Sequence, residues 1–310
     1  MKTGKYTRAI AAALGVYFIW GFTLLASTVA QRFTTPMVFL MYRFDAAALF
    51  MLLPVLFGRK SLHLNTKKIV PLIIMAICEP AVYFIGEQYG MKYTNSSFTG
   101  IFISIIPLFT TVLAAVFFNE KPTLLQWVFC VISICGVIAI SVFTSDAGGN
   151  ISFRGVVWLL IAVFSAGIYT ILNKKAAHDN FSVYERTVVT LLVGAVFFTS
   201  GAVIENAGEL GKLIAPAKNL PFVLAVIYVS LFASIIGYTL FNYAVANAPV
   251  ANVVSLNSLV TVLSVAAGVV FLGEPFSVKA AIAMAVVIIG IWGVQKFTRK
   301  EEIPETANTD

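Results

Sequence analysis

The chain has 310 residues, of which 59% are apolar and 11% charged, with a formal net charge of +7. Soluble domains carry about a quarter charged residues, so these charges are too few to clothe a water-exposed surface, and the composition points to lipid. The positive balance is not a nucleic-acid footprint either, because no long basic or aromatic-interleaved loop offers such a surface.

Ten apolar stretches are predicted as membrane spans, at 10–29, 37–57, 69–89, 98–118, 124–143, 156–173, 187–204, 222–242, 250–272 and 278–294. Each is close to the about 20 residues that cross about 30 Å of hydrocarbon as a helix. The first follows Lys2, Lys5 and Arg8 in the manner of a signal peptide. Its length, the Trp20 at its middle and the lack of a cleavage site favour an uncleaved helix. Cys78, Cys130 and Cys135 fall inside spans and read as packing residues, with neither metal spacing nor a disulfide framework. The polar segment 298–310 is expected to be a disordered cytoplasmic tail.

Lys and Arg collect on the cytoplasmic side of short loops. With both termini inside, thirteen basic residues fall on inner segments and six, Arg32, Lys92, Arg154, Lys212, Lys218 and Lys279, on outer loops. That orientation leaves Arg43 within a span and Arg186 at the inner end of one. The net charge is therefore mainly a topology signal.

An offset of 154 lays Gln88 on Asn242, Tyr89 on Tyr243, Ser104 on Ser258, Phe117 on Phe271, Glu120 on Glu274, Gly136 on Gly290 and Phe143 on Phe297. Five segments per half is an odd number, so the second half must enter the membrane upside down. Inverted repeats build a site at the midplane, exposed to alternate sides by rocking one half against the other. The expected fold is an all-α integral membrane protein, with ten transmembrane helices arranged as two inverted five-helix repeats.

The segment 89–140, YGMKYTNSSFTGIFISIIPLFTTVLAAVFFNEKPTLLQWVFCVISICGVIAI, with its Pro107, Glu120 and Gly136, resembles the first repeat of the EamA-type transporters of the drug/metabolite transporter superfamily. Trp20-Gly21 and Arg43-Phe44 resemble the opening of the same repeat, and Phe271-Leu272-Gly273-Glu274-Pro275 the close of the second. The resemblance runs from about 8 to 297 and implies repeats at 8–144 and 155–297. Thr261 stands where the first repeat has Pro107, and Ser165-Ala166 where a Trp is common. What the resemblance implies is a multi-pass permease of the cell inner (plasma) membrane, with both termini cytoplasmic. It would export small metabolites, amino acids above all, without ATP hydrolysis.

Ionisable groups in spans cost a few kcal/mol and normally face a cavity or a partner. Arg43, Asp45 and Glu79 count to mid-depth, and Glu87 lies about 12 Å outward of Glu79. Glu79, Tyr83 and Glu87 share one helical stripe at i, i+4 and i+8. Pro80 should kink that helix or free a carbonyl beside the carboxylate. Glu79 is expected to contact a solute amine or carry a coupling proton, and Arg43 to take a solute carboxylate. The competing expectation is structural, with Arg43 paired to Glu79 or Asp45. The second half offers Tyr169, Asn173, Tyr238, Asn242 and Asn257, each of which could equally be a packed ring or an interhelical hydrogen bond. Trp20 lies away from the interfaces where Trp usually anchors. The candidate substrate-binding set is Trp20, Arg43, Glu79, Tyr83, Glu87, Tyr169, Tyr238, Asn242 and Asn257. Glu120 and Glu274, in short interhelix turns with Pro122 or Pro275 nearby, are expected to satisfy amides at the start of the following helix.

An intramembrane enzyme is the reading from another class. His63 and His178 fall in loops, no His and Glu occur at metal-ligand spacing, and neither a phosphate-binding loop nor a GxSxG elbow is present. No catalytic residue, cofactor or metal is assigned. Among transporters the alternative is a proton-coupled multidrug exporter of lipophilic cations. A phosphate-bearing solute would want several cavity cations. Coupling requires a carboxylate able to titrate near neutral pH, and three span carboxylates against one span arginine leave it open. The expected partners are a small-molecule solute, membrane lipid and, where coupled, protons, with no nucleic acid and either a monomer or a homodimer.

Overall fold

A computed structural model describes residues 3–60, 62, 69–117, 123–146, 151–248, 250–274 and 277–297. Lys2, His63, Lys67, Lys68, Glu120, Lys121, Pro122, Pro275 and the tail 298–310 lie outside the described residues. Among those described, every regular element is a helix.

The first half contains α1 (Thr3–Gly21), α2 (Thr23–Gln31), α3 (Pro36–Leu56) and α4 (Ile69–Ala76), then a π-helical stretch over Ile77–Val82. It continues through α5 (Tyr83–Lys92), α6 (Ser96–Ile103), α7 (Ile106–Phe117) and α8 (Leu124–Asp146). The second half has α9 (Phe153–His178), α10 (Val183–Glu205), the short α11 (Gly211–Ile214) and α12 (Leu220–Ile227), then π geometry over Tyr228–Ile236. It ends with α13 (Gly237–Asn247), α14 (Val250–Val254), a 3-10 turn over Ser255–Asn257, α15 (Ser258–Leu272) and α16 (Val278–Lys296).

Local chemistry sets the helix starts. Pro36 opens α3 behind Thr35, whose hydroxyl accepts from Val38 N; Asn95 accepts from Phe98 N at 2.8 Å at the start of α6. Ser182 and Glu185 form a reciprocal capping box on α10. Gly273, at φ 66°, closes α15 in the left-handed conformation.

Among the described residues seven helices are long and apolar enough to cross a membrane: Gly4–Gln31, Pro36–Leu56, Ile69–Lys92, Phe153–His178, Val183–Glu205, Leu220–Asn247 and Asn252–Leu272. Three shorter apolar helices, Ser96–Thr110, Leu124–Gly136 and Ala281–Gly293, fall on the remaining predicted spans. The radial distribution of side chains suits lipid as the solvent. Leu49, Phe50, Val131, Val196, Val270 and Trp292 are exposed, while Arg43, Glu79, Glu87, Asn173, Arg186 and Asn242 are buried. In hydrocarbon the polar groups must find partners inside the bundle.

Packing follows the 154-residue offset. The pairs α3 with α10 and α8 with α16 each join a helix to its counterpart, while α1–α13 and α9–α5, and likewise α6–α15 and α14–α7, exchange under it. Three hydrogen-bonded pairs are themselves 154 residues apart: Asp45 with Thr199, Ile103 with Asn257, and Ser133 with Val287. At the last contact Gly136 sits against Val287 and Gly290 against Ser133. A Cβ on Gly290 would come within 2.7 Å of the Ser133 backbone nitrogen, so the close approach of α8 and α16 requires glycine.

Helix interruptions recur at the same offset. Shifting Ile77–Val82 by 154 gives 231–236, inside the second π stretch, and the break between α6 and α7 shifts to 258–259, directly after the 3-10 turn at Ser255–Asn257. Two predicted spans thus continue through π geometry and two are broken near their middles.

Candidate functional site in a buried central cavity

Three of the interruptions, at Glu79, between α6 and α7 and at the 3-10 turn, border one cavity of about 70 Å3, lined by Tyr17, Trp20, Thr23, Leu24, Arg43, Glu79, Tyr83, Phe84, Glu87, Ile103, Ile106, Pro107, Ala166, Thr170, Tyr238, Phe241, Val254, Asn257 and Val260. A water needs only about 10–15 Å3 of such space, whereas sites for drug-sized ligands begin near about 300 Å3. As it stands the cavity has room for a few waters and not for a drug-sized ligand.

Glu79 owes its orientation to the helix interruption. Its backbone is extended, at φ −141° and ψ 116°, within an otherwise helical run. The neighbouring Cys78 carbonyl accepts from Ser165 Oγ at 2.6 Å, which satisfies a group that helix geometry would otherwise use. The carboxylate is 7% exposed and takes a hydrogen bond from Tyr238 OH at 3.0 Å. In the second π stretch the Ala233 carbonyl accepts from Trp20 Nε1 at 3.0 Å. Gly237 allows that approach, since a Cβ there would lie 2.6 Å from the indole nitrogen.

Glu87 accepts from Tyr83 OH at 2.7 Å and from Gln88 Nε2 at 2.6 Å, and Gln31 Nε2 donates to Gln88 Oε1 at 2.6 Å. Tyr83 and Glu87, one turn apart, thus form a local network and both reach the cavity, whereas the expected helical stripe is interrupted at Glu79 by its extended backbone.

Arg43 is 1% exposed, its Nε donates to Ser234 Oγ at 2.9 Å, and its guanidinium lies 4.2 Å above the Phe84 ring. Nη1 has no hydrogen-bond partner, and the side chain forms no ion pair among the described residues. The structural pairing of Arg43 with Glu79 or Asp45 is corrected accordingly. Asp45, two residues along the helix, points elsewhere and accepts from Thr199 Oγ1 at 2.7 and 2.8 Å.

Aromatic rings form the cavity wall. Trp20 lies 5.4 Å from Phe241, 5.7 Å from Tyr17 and 6.1 Å from Tyr238, ring to ring. Asn257 lines the cavity while donating to the Ile103 carbonyl at 3.2 Å.

Two members of the candidate set lie elsewhere. Tyr169 and Asn242 belong to a separate buried network, in which Asn173 Nδ2 and Tyr169 OH donate to Asn242 Oδ1 at 2.6 and 3.3 Å. Asn242 Nδ2 donates to Thr187 Oγ1 at 2.8 Å. At its centre Arg186, 1% exposed, donates to the Asn173 side chain and backbone and to the Asn242 carbonyl. Tyr169 connects this network to the cavity through rings, stacking 6.1 Å from Phe241.

Arg186 and Ser234 were missed as functional candidates. A helix end is an ordinary place for arginine, and a serine in an apolar span carries no signal of its own. The one available clue was the 154 offset, which lays Arg32 on Arg186.

Glu274 also needs correction. Its carboxylate accepts from Ser96 N, Ser96 Oγ and Ser97 N at 2.9, 2.6 and 2.8 Å. It caps α6 in the first half rather than α16, the helix that follows it, because the left-handed turn at Gly273 directs it across the bundle. A second, more open cavity of about 320 Å3 lies beside this contact, bordered by Gln31, Arg32, Lys92 and Asn95. Among the described residues no group of His, Cys, Asp and Glu is placed to hold a metal ion.

The profile of the EamA-like transporter family matches residues 7–142 and again 153–295. The uncharacterized transporter YcxC of Bacillus subtilis is 29% identical over 310 residues, covering 98% of this chain and 99% of its own. The uncharacterized inner membrane transporter YedA of Escherichia coli K12 is 25% identical over 288 residues, 90% of this chain and 88% of YedA. A solved crystal structure superposes with a TM-score of 0.66 over 96% of this chain and 99% of that one, at 16% identity, which speaks to the fold alone. Two profile matches in tandem, apolar helices of membrane length and a polar interior agree: the chain belongs to the EamA-like transporter family and is a multi-pass membrane transporter.

Proposed function

We propose that this transporter is a permease exporting small metabolites, amino acids or related compounds, by alternating access at the central cavity. Its ten spans form two inverted five-helix repeats, with both termini cytoplasmic. The self-pairing of residues 154 apart and the matching interruptions support the repeat architecture, since broken helices in corresponding positions of two halves mark transporter sites. Export follows the family resemblance, and the inner-membrane assignment follows the similarity to YedA, an inner membrane transporter.

One observation carries the choice of solute. Arg43, with a free Nη1, shares a buried cavity with Glu79 and Glu87 without neutralising either in a direct pair. Such an arrangement takes a carboxylate at one point and an amine at another. A second reading, a proton-coupled exporter of lipophilic cations, is favoured by the aromatic wall, but the Arg43 charge opposes it.

The test is transport of a labelled amino-acid panel by the purified protein in liposomes, with and without an imposed pH gradient, comparing native protein with Glu79→Gln. Saturable transport that collapses in the variant is expected, and dependence on the gradient would add proton coupling. Transport of cationic dyes and of no amino acid would sink the reading in favour of the second.

A further inference from the structure

The cavity carries more acid than base. Glu79 and Glu87 each place a carboxylate on it, and among the described residues Arg43 is its single cationic side chain and no ion pair joins them. A zwitterion with one ammonium and one carboxylate would leave one of the two acids either ionised and uncompensated in a buried, low-dielectric site, which is costly, or protonated.

We infer that the solute is an amino acid with a second cationic group, its carboxylate on Arg43 and its two cations on Glu79 and Glu87; this rests on the proposed amino-acid reading of the same site. The two acids reach the cavity from different places on the chain: Glu79 from the extended break before α5 and Glu87 from α5 itself.

The hydrogen bonds keep both carboxylates in place without using them up. Glu79 receives one hydroxyl, from Tyr238, and Glu87 receives one hydroxyl and one amide. An ionised carboxylate has about four acceptor positions, so each retains capacity for an ammonium or guanidinium. Trp20 and Phe241 add ring faces that attract cations. Arg43 is held open for an anion by its partners: Ser234 occupies Nε, and the Phe84 ring covers one face of the guanidinium. Ser234 is thus a positioning residue for the carboxylate contact.

Counterflow tests the charge match. Liposomes containing the full-length protein and loaded with unlabelled lysine are offered labelled lysine, with arginine, ornithine, leucine and cadaverine as competitors. Arginine and ornithine are expected to compete at concentrations at least about tenfold below leucine, which lacks the second cation, and cadaverine, which lacks the carboxylate. Glu87→Gln should narrow the lysine-to-leucine ratio, and Ser234→Ala should raise the KM for lysine while leaving inhibition by cadaverine unchanged. Should a variant fail to fold, the native competition series decides alone.

Exchange of leucine with no competition from lysine, arginine or ornithine would overturn the charge match and leave amino-acid transport standing. Equal competition by cadaverine and lysine would overturn the carboxylate contact. Movement of no amino acid at all would remove the amino-acid reading itself, and this inference with it.

Discussion

Thr199 donates its hydroxyl to both oxygens of Asp45, and the two residues stand 154 apart in the chain. The same separation joins Ile103 to Asn257 beside the cavity and Ser133 to Val287 where α8 meets α16. A residue touches its own counterpart only near a two-fold axis. In the proposed architecture that axis runs from α3 and α10, past the cavity, to α8 and α16.

Gly136 and Gly290 should be equally sensitive to substitution. Gly136→Val would press on Val287 and Gly290→Val on the Ser133 backbone. Overpacking of this kind costs about 1–3 kcal/mol. Thermal unfolding in detergent should show similar falls in Tm for the two variants; a fall in only one would argue against equivalent packing of the halves.

Thr199→Val leaves the half-buried Asp45 carboxylate without its hydroxyl donor, at an expected cost of about 1–3 kcal/mol. Because Asp45 lies off the cavity, the KM for solute should hold while Tm drops. A large change in KM would place Asp45 in the transport pathway.

Glu274→Ala removes three hydrogen bonds that tie the end of α15 to the start of α6. Loss of such a cap costs about 0.5–2 kcal/mol, and the mouth beside it should open more often. A cysteine placed at Gln31, in a chain with its three native cysteines replaced, should react faster with a membrane-impermeant maleimide in the Glu274→Ala background. An unchanged rate would mean that the contact does not hold the mouth.

Arg186→Leu would strand the Asn173 and Asn242 acceptors that the guanidinium serves. Hydrogen bonds to charged groups contribute roughly 1.5–3 kcal/mol each, so a marked loss of thermal stability is expected. Competition ratios among solutes should survive in whatever protein folds, since Arg186 does not line the cavity. Altered ratios would bring this network into solute recognition.

The proposed topology places His178 and Glu209 on opposite sides of the membrane. Single cysteines there should behave oppositely towards an impermeant maleimide in intact cells: labelling at Glu209 at once, and at His178 only after permeabilisation. Simultaneous labelling at both would refute the five-plus-five inversion.

Much of the cavity was legible because charge in a span is conspicuous. Arg43, Glu79 and Glu87 stood out against an apolar background, and the i, i+4, i+8 spacing foretold the Tyr83–Glu87 contact. Trp20, Tyr238 and Asn257 were reached by counting depth. Tyr169 and Asn242 passed the same count but face another network, because depth fixes height along a helix and leaves its rotation open. Ser234 was invisible, since its importance derives wholly from the arginine that another helix brings to it.

Composition and hydropathy by themselves pointed to lipid as the solvent and to apolar helices crossing it, because lipid demands about 20 apolar residues per crossing, and matching residues in the two halves marked the repeat offset. Only the tertiary structure decided which polar groups meet. A carboxylate or guanidinium in hydrocarbon must find partners inside the bundle, and several lie within reach at each depth. Helix rotation, the extended backbone at Glu79 and the close passage of Trp20 over Gly237 choose among them. Those choices left Arg43 with an unpartnered nitrogen at the cavity and sent Asp45 to Thr199.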